Sequence, residues 1–302
     1  MKHLVPVWTG VALFLLSSVR APAWSSAGHQ VIAAEAYRQL PPALKAKANE
    51  ILKAHPDYEK WRDSFTGGSA GLDLETFVFM RASMWPDEIH HHGNPYDHPA
   101  WHFVDYPLKP ALFPVEPGPE PNNDALYGII QAEKALTDAK TSPEERAVFL
   151  SWLIHLVGDM HQPLHCGTLF NSAFPNGDKG GNDFYVKPGA RGVRLHSVWD
   201  GLLGTSGKLQ THLNYAIRIE ADYPKKSLPE LKIAKTPKDW SLESRSVAIE
   251  KAYLHGKLKG SFNANDAPAL PEGYTKEAKA VAERRAALAG YRLAEEIEKF
   301  LE

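Results

Sequence analysis

Residues 151–167, SWLIHLVGDMHQPLHCG, concentrate groups that can hold a metal ion. His155 and Asp159 are four apart, so a helix presents them on one face. His165 follows the break at Pro163, where the helix is expected to end and the chain must turn. Two imidazoles and a carboxylate suit zinc and related ions, which favour imidazole nitrogen and carboxylate oxygen. By themselves, the three residues fit a core helix with a buried His–Asp hydrogen bond equally well.

Four other local clusters have the same composition. They are Trp24-Ser-Ser-Ala-Gly-His29, Asp87 in SMWPDEIH, His102 in WHFVDYP, and His196 with Asp200 in LHSVWDG. If the last enters a helix or tight turn, its i and i+4 positions could share one ion. His161, between two candidate ligands, reads as a structural residue. His55, His98, His212 and His255 read as surface residues, and Cys166 as a packed thiol.

The elements that must position these groups are mostly helices. The patterning predicts helices over 28–40, from there to about 55, over 72–83 and over 123–140. Ser142-Pro143-Glu144-Glu145 supplies an N-cap, a proline at the first helical position and a glutamate at the third. That start launches the helix of residues 151–167. Further helices are expected at about 207–221, 241–256 and 275–301, the last with Leu288, Tyr291, Ala294, Ile297 and Leu301 on one face. Residues 90–123 are irregular and rich in His and Pro, a loop length that usually has a functional reason. Residues 166–182 read as a Gly/Asn/Asp loop, 183–187 and 193–198 as a short hairpin, and 256–273 as a connector. No repeat, low-complexity tract or domain boundary stands out. The expected architecture is a mainly α, single-domain helical protein with a short β-hairpin, spanning 24–302.

Residues 1–23 read as a signal peptide: Lys2 gives a positive start, VALFLL an apolar core, and Ala21-Pro22-Ala23 a cleavage site. Trp24 would then be the first mature residue, with no membrane anchor left after cleavage. Whole-chain charge is −2; removing Lys2 and Arg20 leaves 32 basic against 36 acidic residues, about −4. A general polyanion binder is normally basic, so nucleic-acid chemistry here would need a local positive site. A single cysteine forbids an intramolecular disulfide, and no N-x-[ST] acceptor occurs. Export to a bacterial periplasm or medium fits that better than a eukaryotic secretory route.

Taken together and in order, Trp-x4-His after the cleavage site, WPD, HFVD, HLVGDMHQPLH, GGN and LHSVWD resemble the S1/P1 nuclease family, zinc-dependent enzymes distantly similar to zinc phospholipases C. The motifs run from Trp24 to Asp200, and only the C-terminal hundred or so residues lack them. The resemblance implies a phospholipase C/nuclease-like helical fold and three Zn2+. Asp87, His102 and His155 would hold one ion, with Asp159 bridging it to a second. That second ion would also take His29 and the α-amine and carbonyl of Trp24, which gives the cleavage a chemical meaning. His165, His196 and Asp200 would hold the third. Three dications against three aspartates leave roughly three positive charges, enough to attract a phosphodiester.

The implied activity is hydrolysis of single-stranded RNA and DNA to 5'-phosphorylated products, with 3'-nucleotidase activity. A bridged water with a pKa lowered towards about 7 would attack phosphorus in line. Asp87 and Asp159 would be catalytic through the zinc pair. Phe103 would stack on an unpaired base, Asp105 would hydrogen-bond to it, and Asn182 would contact substrate. As a residue reading, Phe103 fits a core aromatic and Asp105 an orienting partner of a metal histidine. One departure is His90, which stands where many relatives carry Arg or Lys near the scissile phosphate. It would donate to phosphate when protonated; otherwise His90, His91 and His92 form a mobile, solvated loop. A zinc phospholipase C and a non-catalytic exported zinc-binding protein are the alternatives. A monomer is expected.

Overall fold

The computed structural model describes residues 24–301 apart from 69–70, 91, 110–112, 115–117 and 206. The expected signal peptide, residues 1–23, lies outside them. The chain begins with α1 (Ser26–Gln39), capped by the Ser25 hydroxyl on Gly28 N–H, then α2 (Pro42–Leu52) and α3 (Tyr58–Ser64). α4 (Leu74–Ala82) starts at an Asp73 cap, and a single turn, α5 (Trp85–Glu88), follows. The irregular stretch holds a 3-10 turn, Pro99–His102, and a two-residue strand, β1 (Pro107–Leu108). α6 (Ala125–Thr137) leads to α7 (Pro143–Asp159), which has the cap read from the sequence: the Ser142 hydroxyl accepts Glu145 N–H at 3.2 Å.

α7 is buried on nearly every side from Ala147 onward, as expected of a helix apolar all round, and it packs against α6, α2, α12 and α5. α1 is enclosed by α12 (Tyr274–Leu301), α9 (Leu209–Asp222) and α4. The buried apolar side chains form a continuous cluster around these helices. The fold is mainly α, as the patterning indicates.

Several local expectations change. α7 ends at Asp159, four residues before Pro163, and the proline instead opens a 3-10 turn, Pro163–Cys166. Gln162 is extended, the conformation a following proline imposes, so the α-helix must stop before it. The loop after it holds β2 (Thr168–Leu169), which pairs in parallel with β1. The hairpin forms as β3 (Tyr185–Val186) and β4 (Val193–Arg194), but residues 195–198 leave it for a short helix, α8 (Leu195–Asp200). α10 (Glu230–Ile233) and a Thr236/Asp239 capping box start the next part early: α11 (Pro237–Val247) begins four residues ahead of the expected start and passes into a π-helical segment, Ala248–Ala252.

His55 and His212, read as surface residues, are buried. His55 Nδ1 accepts Asp57 N–H at 3.0 Å while its ring stacks on Trp61, and His212 Nδ1 lies 2.5 Å from Gln30 Oε1. His255 is exposed and His98 half-buried. Cys166 is fully buried, its thiol directed at Met160 O.

Candidate metal centre and nucleotide cavity

The candidate ligands arrive from six separate elements. His29 sits in the first turns of α1, Asp87 on α5, His102 at the end of the 3-10 turn, and His155 with Asp159 on the last turns of α7. His165 lies in the turn after α7, and α8 carries His196 and Asp200 on one face. Gly158 lets α1 and α7 approach: a Cβ there would stand 3.0 Å from His29 Nδ1. Trp24 is fully buried; its indole donates to Gly158 O at 3.0 Å, while Ser25 N–H donates to Asp200 O.

The polar atoms converge in two sets. In one, His155 Nε2 and His102 Nδ1 are 2.9 Å apart and lie 3.0 and 3.2 Å from Asp159 Oδ2. Asp159 Oδ1 faces the other way, 3.2 Å from His29 Nε2. Asp87 also straddles: its Oδ1 is 3.7 Å from both His102 Nδ1 and His155 Nε2, and its Oδ2 is 4.0 Å from His29 Nε2. In the second set, His165 Nε2 is 3.2 Å from His196 Nε2, which is 3.5 Å from Asp200 Oδ2.

These contacts are unsatisfactory as hydrogen bonds and fit a bound cation. His165 Nδ1 donates to His102 O at 2.5 Å and His196 Nδ1 to Gly180 O at 2.7 Å, so in the neutral rings both Nε2 atoms present lone pairs to each other. Similarly, His155 Nδ1 is spent on Ser83 O at 2.8 Å. Backbone carbonyls that take the outer ring nitrogen are the usual means of aiming a metal histidine. A tetrahedral ion with ligands at about 2.0–2.1 Å holds them about 3.3 Å apart, and the separations here, from 2.9 to 4.0 Å, bracket that value. Both ring nitrogens of His29, Nε2 of His102 and Oδ1 of Asp159 are buried with no hydrogen bond among the described residues.

The electrostatics agree. Burial lowers the pKa of His29, with His155 stacked on it at 4.0 Å. Burial also works against a charged His155, but Asp159 and Asp87 lift it to about 9. For Asp159, burial is outweighed by the imidazoles of His155, His165 and His102, which hold it well below the usual carboxylate range. Burial, with Asp159 and Asp87 nearby, pushes Asp200 well above that range although Gln162 donates to it at 2.7 Å. Asp159 is thus held anionic by the imidazoles, whereas keeping Asp200 anionic in this enclosure calls for additional positive charge. His161 is excluded from the set: its Nδ1 donates to Val157 O and its Nε2 accepts Arg292.

Beside the cluster lies a cavity of about 420 Å³, lined by Phe103, Asp105, Glu120, Asp124, Phe170 and Lys179 among others. Phe103 and Asp105 thus share a cavity, with Asp105 Oδ1 accepting Thr168 Oγ1 at 2.9 Å. Asn182 is not among the lining residues; it is 6% exposed and donates to Lys179 O. Its loop reaches the cavity through Asn176 and Lys179 instead. His90 is half-buried, with Nδ1 3.2 Å from Asp97 Oδ1 and its ring 6.1 Å from that of His102. His92 is exposed, and His91 is outside the described residues. Gln162, Phe170, Lys179 and Asp97 were missed from sequence. Gln162 had a signal, standing inside HQPLH; the others have none.

A buried His/Asp set able to hold metal inside a mainly helical fold, with an aromatic- and carboxylate-lined cavity, suits a metal-dependent hydrolase. The S1/P1 Nuclease family model matches residues 24–302, and the chain belongs to that zinc-dependent family of hydrolases. It is 28% identical to Endonuclease 4 of Arabidopsis thaliana over 245 residues, covering 70% of this chain and 73% of that protein. It is 30% identical to Endonuclease 3 of the same plant over 158 residues, 48% of each chain. To Nuclease P1 of Penicillium citrinum it is 26% identical over 182 residues, 59% of this chain and 57% of that one. Like those relatives' names, the family implies nucleic-acid substrates.

Proposed function

We propose that this chain is an exported, monomeric nuclease that hydrolyses single-stranded RNA and DNA to 5'-phosphorylated products and also removes 3'-phosphates from nucleotides. The observation that carries the proposal is the divergence of the two Asp159 oxygens toward different imidazole sets, together with a cavity lined by Phe103 and Asp105. His102, His155, Asp87 and Asp159 would hold one zinc ion, His29, Asp159 and Trp24 a second, and His165, His196 and Asp200 a third. When bound, the ions supply Lewis-acid polarisation of the phosphate and a nucleophile at neutral pH.

The chain's own residues then select and orient the substrate. Phe103 offers a ring to an unpaired base, which a base inside a duplex cannot use without unstacking. Asp105 accepts from base N–H groups, and Asp97, 3.2 Å from His90 Nδ1, holds the His90 ring near His102, where a protonated imidazole would attract phosphate. Lys179, at the cavity wall and paired to Asp183 at 2.9 Å, adds positive charge near the backbone. Removal of residues 1–23 would free the Trp24 α-amine, a metal donor that an uncleaved amide is not.

The test is zinc-loaded mature protein offered single-stranded RNA, single-stranded DNA, duplex DNA, a 3'-mononucleotide and a phosphatidylcholine analogue, with zinc content measured on the same sample. Cleavage of the single strands to 5'-phosphorylated ends, abolished by chelation and restored by zinc, is the expected result. Hydrolysis of the lipid alone would reverse the assignment to a phospholipase. Bound zinc without any hydrolysis would leave a binding protein.

A further inference from the structure

Asp178 is a carboxylate with no exposed surface that the metal centre does not use. Its Oδ1 accepts Leu169 N–H at 2.8 Å, its Oδ2 accepts the Tyr253 hydroxyl at 2.6 Å, and Gly181 N–H also donates to it. Its backbone is tied to the same places: Asp178 N–H donates to Leu169 O and Asp183 N–H to Asp178 O. Burial pushes its pKa up to about 6 against these donors, so at neutral pH it remains a carboxylate able to accept from all three.

The loop it organises is tightly wound. Gly177, Lys179, Gly180 and Gly181 all have positive φ, between 54° and 82°. Backbone of that kind persists only where surrounding contacts impose it. The two limbs that Asp178 joins are both cavity walls: Thr168 and Phe170 flank Leu169, while Asn176 and Lys179 flank Asp178 at close range. The gap between the limbs is filled closely, since a Cβ on Gly177 would stand 2.6 Å from Thr168 Cγ2 and 2.9 Å from Phe170 Cζ. Downstream, the loop supplies Gly180 O to His196 Nδ1 and carries Asn182.

Tyr253 reaches the loop because of an irregularity in its helix. Its N–H bonds to Ala248 O, five residues back, closing the π-helical segment after α11. The wider turn rotates the next side chain relative to an α-helical continuation, and such insertions are frequent at functional sites. Leu254 and His255 then adopt positive φ and turn the chain away. Tyr253 is 1% exposed and packs edge-on to Phe184 at 5.7 Å, so its hydroxyl has one place to point.

We propose that Asp178 and Tyr253 are a buried positioning pair that fixes the spacing of the two cavity walls, and so governs how tightly the nucleotide is held. The inference rests on the nuclease reading of the cavity. The pair touches neither substrate nor the candidate ligands; it acts through Phe170, Thr168 and Lys179.

The test is Tyr253→Phe in the full zinc-loaded protein, which removes one donor and leaves the ring packing. Tyr37→Phe is the control, because it deletes another buried tyrosine hydroxyl, bonded to Asn49 on α2 and not lining the cavity. A hydrogen bond to a carboxylate is strong enough that its loss should raise KM for a single-stranded oligonucleotide by about tenfold. The calorimetric Kd of a nucleoside 5'-monophosphate should rise in parallel, with kcat changed less than about threefold and zinc content unchanged. The control should lose thermal stability with KM unaltered. KM and Kd within about twofold of wild type in Tyr253→Phe, or a fall in kcat at constant KM, would overturn the positioning role. If the unsubstituted protein itself neither cleaves nor binds nucleotides, the nuclease reading fails and the inference falls with it, a result the variant plays no part in.

Discussion

Replacing Asp159 by asparagine takes one negative charge and almost no volume from the most enclosed point of the cluster. The side chain is fully buried, with Oδ2 at 3.0 and 3.2 Å from His155 and His102 and Oδ1 at 3.2 Å from His29. Because its two oxygens serve two ligand sets, both members of the proposed zinc pair should weaken together. Breaking a buried charged contact by removing one partner costs about 3–5 kcal/mol. At about 1.4 kcal/mol per tenfold, that is roughly a hundred- to several-thousand-fold loss of zinc affinity. The set of His165, His196 and Asp200 does not include Asp159 and should keep its ion. After dialysis against a zinc buffer, elemental analysis should therefore find one equivalent against the three expected of wild type under the proposed cluster, with nuclease activity below about 1% of wild type. Chelator competition gives the affinities, and far-UV circular dichroism verifies that the helices persist. A folded Asp159→Asn variant that retains all its zinc at near wild-type affinity would refute the bridging role.

Other expectations follow from packing and titration. Burial depresses the pKa of His55 from the usual 6.5 to about 3. Above pH 6.5 neither folded nor unfolded chain binds that proton; below it only the unfolded chain does, so stability should fall by up to about 1.4 kcal/mol per pH unit as pH drops from 6.5 towards 3. His55→Asn, whose side-chain oxygen can still accept Asp57 N–H, should flatten the slope in denaturant titrations between pH 7 and 5, and an unchanged slope would contradict the assignment. Gly128 sits where α6 meets α7, and a Cβ there would stand 2.7 Å from Leu156 Cδ1 and 3.0 Å from Trp101 Cε3. Gly128→Ala should thus lower stability by about 1–3 kcal/mol, read from urea midpoints, because the overpacking outweighs the helix propensity gained. Phe103→Ala should raise KM for single-stranded substrates by about 5- to 150-fold, the equivalent of about 1–3 kcal/mol of stacking, while zinc content stays at the wild-type level.

The sequence by itself determined the candidate ligand set and much of the helical frame. His155 with Asp159 is legible because i, i+4 spacing is a property of any helix, whereas the same spacing of His196 and Asp200 becomes a shared face only once α8 forms. Ser142-Pro143-Glu144-Glu145 is legible because a cap is a contact between residues three apart. The ordered motifs then pointed to one family. Tertiary structure alone decided what depends on docking between distant segments. The parallel pairing of β1 with β2, the burial of His55 and His212, and the early exit of residues 195–198 from the hairpin have no local signature. Nor does the meeting of Asp178 with Tyr253, 75 residues away. The orientation of Asp159 is the clearest case. Sequence spacing puts it beside His155, but only the packing of α1 on α7, with Gly158 making room, turns its second oxygen toward His29.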